Sequence, residues 1–60
     1  MAQDSTRRLL REFGVAVTTF EEAVEAGNGD AARPAEALLR EHMKQLIELV
    51  EGLSGQAAKL

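Results

Sequence analysis

Apolar residues fall at Leu10, Phe13, Val17, Phe20 and Val24, in alternating steps of three and four, with Leu9, Ala16 and Ala23 widening one side of the stripe. That spacing keeps side chains on one face of an α-helix and reads as a heptad seam. Asp4 and Ser5 stand where a side-chain oxygen can cap the first turn, so a helix is expected over about 5–26. Gly14 interrupts an otherwise good helical run, and the helix is expected to tolerate it.

Gly27, Asn28 and Gly29 then supply residues that accept left-handed backbone angles, which predicts a turn over 27–30. Pro34 lacks an amide proton and biases Arg33 away from helix, so the next regular helix is expected from Pro34. From there Leu39, Met43, Leu46, Val50 and Leu53 repeat the four-three spacing, and the second helix is predicted over about 34–53. Gly52, Ser54 and Gly55 weaken helix propensity, so 54–60 is expected to fray. Leu38, Ile47 and Leu49 flank the second seam and broaden its apolar arc to roughly 180°, more than one neighbouring helix covers.

The expected fold class is therefore all-α: an antiparallel helical hairpin, paired into a dimeric four-helix bundle. The two seams name the expected core and interface: Leu10, Phe13, Val17, Phe20 and Val24 on one helix, and Leu39, Met43, Leu46, Val50 and Leu53 on the other. Length strengthens the case for pairing. A chain of 60 residues buries only about 60% of its unfolded surface, and small folds lean on disulfides, metals or oligomerisation. With no cysteine, disulfides and thiolate zinc sites are excluded, and oligomerisation remains.

A net charge of −3 disfavours nucleic acid, whose phosphates are held by Lys and Arg. The cluster Arg7, Arg8 and Arg11 has no aromatic stacking platform beside it, since Phe13 and Phe20 are the chain's only aromatics, and it reads as a solvated helix face. No apolar run approaches the ~20 residues of a membrane span and no apolar signal core leads the chain, so a cytoplasmic protein without a membrane partner is expected.

Candidate chemistry is sparse. Ser5 and Ser54 form no recognisable nucleophile arrangement with His42, and Gly27-Asn28-Gly29 lacks the Lys-Ser/Thr ending of a phosphate-binding loop. Neither catalytic residues nor a cofactor or metal is expected. His42, the only histidine, sits on the apolar arc between Leu38, Leu39, Leu46 and Leu49. It reads as a buried ring with one polar partner, for which Glu21 is a candidate, and as a possible switch.

The segment from Phe20 to Val50 carries Ala23-Val24, Gly29-Asp30, Ala31-Ala32 and His42-Met43 in order along a helix, a turn and a second helix. In this it resembles the last helix pair of the effector-binding domain of FadR-type GntR regulators. The resemblance implies a helical ligand-sensing domain in which a histidine on the final helix is one of several metal ligands. His42 alone matches that role; an earlier histidine of the family falls near Val17, and a winged DNA-binding domain has no room in this chain.

The expected function is a non-enzymatic oligomerisation and protein-interaction module, a regulator or adaptor. Two alternatives stand beside it: a small acidic inhibitor of a basic or nucleic-acid-binding protein, and a reduced metal- or ligand-sensing hairpin.

Overall fold

A computed structural model describes residues 3–60 as two helices, α1 (Asp4–Glu25) and α2 (Gly29–Ala57), packed as a hairpin 48 × 17 × 13 Å across. α1 starts one residue earlier than the capping pattern predicts. Gln3 takes the cap position in extended backbone (φ −71°, ψ 155°) and makes no side-chain cap hydrogen bond, so neither Asp4 nor Ser5 serves as a cap. Asp4 instead lies in the first turn, where a carboxylate complements the positive end of the helix dipole.

The turn is shorter than 27–30 because one residue serves both helices. Gly27 adopts φ +67°, a conformation glycine reaches without steric strain. Its amide donates to the Val24 carbonyl (3.0 Å), and the Asn28 amide reaches back to the Ala23 carbonyl (2.9 Å). Together these are the paired bonds of a Schellman helix ending, which satisfy carbonyls left over by α1. Asn28 then begins the next helix: its Oδ1 accepts from the Ala31 amide (3.2 Å) and its carbonyl accepts from the Ala32 amide (3.0 Å). Three residues, Ala26 to Asn28, reverse the chain.

With that cap in place α2 starts at Gly29, five positions before Pro34, and the proline ring is carried within the helix. The local rule that a proline ends or starts a helix is overridden by the Asn28 cap and by the packing of Ala32 and Ala35. At the other end α2 continues through Gly52 and Gly55 to Ala57, past the boundary expected at Leu53. The following amides of Ala58, Lys59 and Leu60 bond back to Ser54, Gln56 and Ala57.

The hairpin interior differs from the predicted seams. Ala16, Ala23 and Ala35 are its buried apolar residues, with Ala16 only 2% exposed. Leu9, Phe13 and Phe20 of α1 and Ala32, Leu39, Leu46 and Leu49 of α2 are half-buried around them. On α1 the inner stripe is thus Leu9, Phe13, Ala16, Phe20 and Ala23, in which Leu9, Ala16 and Ala23 replace Leu10, Val17 and Val24. On α2 it is Ala35, Leu39, His42, Leu46 and Leu49, in which Met43 and Val50 lose their places; Leu53 continues this spacing but is exposed at the end of the hairpin, beside Gln3 and Thr6. The physical reason is close approach. Alanines at the crossing let two helices come together more tightly than a row of valines allows, so α1 turns its small-residue flank inward, and α2 contributes buried Ala35.

Candidate functional site: a buried histidine and an exposed apolar edge

His42 projects from α2 into the hairpin and is 8% exposed, the only buried polar or charged residue among those described. Its Nε2 lies 3.5 Å from Oε2 of Glu12, a half-exposed carboxylate on α1. The other ring nitrogen, Nδ1, is buried and has no hydrogen-bond partner. Glu12 is therefore the carboxylate beside His42, in place of Glu21. The register explains this: reflection about Gly27 carries position 42 onto position 12, so the short turn sets the pair. That signal was present in the sequence once the turn was centred on Gly27.

Beside the ring runs an open groove of about 430 Å3, lined by Arg11, Val15, Thr19 and Leu38 together with Glu12 and His42. No three of His, Cys, Asp or Glu come together among the described residues.

The predicted seam residues divide into two sets. Phe13, Phe20, Leu39 and Leu46 face the partner helix and are half-buried. Leu10, Val17, Val24, Met43, Val50 and Leu53 are exposed. At about 100° per residue, Leu10, Val17 and Val24 lie on the flank of α1 away from the groove, and Met43, Ile47 and Val50 on the corresponding flank of α2. These six large side chains, between 37% and 58% exposed, lie on one edge of the hairpin, with rows from both helices at the end away from the turn and the α1 row alone nearer to it. Leu10 and Met43 stand at nearly the same height on it, as Glu12 and His42 do on the other side. Ile47 completes this edge and was read from the sequence only as a seam flank.

Towards the turn, charged residues continue the flank of Met43, Ile47 and Val50. Glu36 and Arg40 form an (i, i+4) ion pair at 2.7 Å on the outside of α2. Such an exposed pair contributes about 0.3–0.5 kcal/mol. Among the described residues, no helix is long and apolar enough to cross a membrane.

Compared with protein families, with characterised proteins and with solved structures, the chain matches none.

Proposed function

We propose that this chain is a non-enzymatic interaction module that works as a homodimer, two hairpins closing into a four-helix bundle and presenting their outer faces to a protein partner. One observation carries the reading: the apolar edge of Leu10, Val17, Val24, Met43, Ile47 and Val50 is exposed along the hairpin. Monomers rarely leave so continuous an apolar surface in water, and such a surface marks an interaction site.

The surface area supports a second copy as the occupant. The hairpin exposes 4914 Å2, whereas a compact monomer of 6.5 kDa exposes roughly 3,800 Å2. Two separate hairpins expose twice that area, and a compact body of the doubled mass about 6,300 Å2. Pairing can thus bury up to about 3,500 Å2 in total, within the range of obligate homodimers. The two flanks also lie on the same side of the hairpin, each turned away from its inner stripe, which is how a helix in a square bundle meets two neighbours.

The test is mass in solution. Light scattering behind a sizing column should give twice 6.5 kDa at micromolar concentration, with the helical signal falling on dilution below the dissociation constant. A concentration-independent mass of one chain with a cooperative melt would overturn the reading.

A further inference from the structure

The outer flank of α1 carries a charge pattern that the hairpin itself leaves unused. Next to the row Leu10, Val17 and Val24, on the side away from α2, a strip about 80° wide at 100° per residue holds Arg7, Arg11, Gly14, Thr18, Glu21 and Glu25. All six are exposed. Among the described residues the ion pair is Glu36–Arg40, and Glu12 lies beside His42, so Arg7, Arg11, Glu21 and Glu25 take part in neither contact. The strip is basic at its beginning, small at its middle and acidic at its end.

Each pair is symmetric about the same residue. Arg7 and Glu25 are equidistant from Ala16, as are Arg11 and Glu21, and as are Gly14 and Thr18. A strip with this order is complementary to itself when turned end for end, the relation a two-fold axis across the helix imposes. A side-chain carbon added at Gly14 would meet nothing within 4 Å, as at the chain's other glycines. The Thr18 hydroxyl donates to the Gly14 carbonyl (3.1 Å) and the Val15 carbonyl (3.0 Å) of its own helix. Its hydrogen bond is met locally, so the residue can be covered without leaving a polar group unpaired.

We infer that α1 pairs antiparallel with α1 of a second copy through the row Leu10, Val17 and Val24, with this strip flanking the contact, the two-fold axis at the level of Ala16, and Arg7 opposite Glu25 and Arg11 opposite Glu21. The inference rests on the homodimer reading and gives it an interface and a direction. The row follows the same symmetry, Leu10 meeting Val24 with Val17 near the axis. Met43, level with Leu10, falls inside the overlap, while Ile47 and Val50 lie towards its outer ends. Like charges would face one another in a parallel pairing of α1 with α1, Arg against Arg and Glu against Glu, so the pattern selects direction as well as partner.

The test is a charge swap on the full chain. Arg7→Glu with Arg11→Glu makes the strip wholly acidic, and Glu21→Arg with Glu25→Arg makes it wholly basic. All four positions are exposed, so the hairpin interior is untouched. Each variant alone should dimerise at least tenfold more weakly than the parent by analytical ultracentrifugation. An equimolar mixture should recover the parent's affinity, with one chain of each kind per particle by native mass spectrometry. If a variant loses helix along with its partner, recovery of helix on mixing reports the same pairing. A parent dimer whose swapped variants self-associate as tightly as it does, or whose mixture forms no mixed particle, overturns this interface and leaves the homodimer standing on another face. A monomeric parent overturns both.

Discussion

The inside of the hairpin and its exposed edge are made from opposite materials. Inside, the buried apolar residues are Ala16, Ala23 and Ala35, ringed by half-buried Leu and Phe, and the one large buried side chain is His42, with an orphaned Nδ1. Outside, Leu10, Val17, Val24, Met43, Ile47 and Val50 stand in water. Side chains that would contribute most to a core are thus placed where a single hairpin cannot bury them, while the crossing uses the residues that contribute least per position. The difference teaches that the hairpin is shaped by close approach of two backbones, and that its hydrophobic reserve lies on a face the hairpin itself leaves in water.

The sharpest way to break this comparison is from the half-buried side. Leu46→Ala should destabilise by about 2–5 kcal/mol, a large share of the stability of any small domain, and urea melts followed by circular dichroism would measure it; a change below about 0.5 kcal/mol, typical of a surface site, would place Leu46 outside the working core. Ala16→Leu should come next, at about 1–3 kcal/mol, because a residue 2% exposed at the crossing has no room for three more carbons. A stabilising Ala16→Leu would mean that the crossing is loosely packed.

His42→Leu should act in the opposite direction. It removes a buried nitrogen that lacks a partner, whose desolvation costs about 1–3 kcal/mol, and it gives up only a 3.5 Å contact with a half-exposed carboxylate. Stability should rise by about 1 kcal/mol with helix content unchanged. A loss of that size would reveal a structural role for the imidazole beyond its packing. The smallest effect belongs to the solvated outer face, where Glu48→Ala should shift stability by no more than about 0.5 kcal/mol; a larger shift would show that this face is covered.

The two helices and their antiparallel order were legible because the three-four spacing and the Gly27-Asn28-Gly29 break both act locally. The rotation of each helix was not. The apolar arc on α1 includes Leu9, Ala16 and Ala23 as well as Leu10, Val17 and Val24, and hydrophobicity alone ranks valine above alanine. Which edge of a wide arc turns inward is decided by how closely the backbones approach, a property of the pair. The early start of α2 was hidden for a related reason: Pro34 speaks against helix locally, whereas the Asn28 cap is visible only once the Schellman bonds place that residue at the junction. His42 was legible as buried, and its neighbour Glu12 required the register that the turn sets.

The doubly used Asn28 has a kinetic consequence. Since it ends one helix and begins the next without an intervening loop, contacts across the hairpin are nested about Gly27, with Glu12 beside His42 and, farther out, Thr6 near Leu49. Once the first pair beside the turn has formed, each later pair closes a loop of only a few free residues, and the entropy of closure grows slowly with loop length. Folding should therefore run like a zip from the turn in microseconds to milliseconds, as expected for chains of low contact order. Substitutions at Gly27 and Asn28 should slow folding, while those near Leu49 should chiefly speed unfolding. In temperature-jump relaxation, a folding rate indifferent to Asn28→Ala would show that the hairpin forms instead after two chains have met.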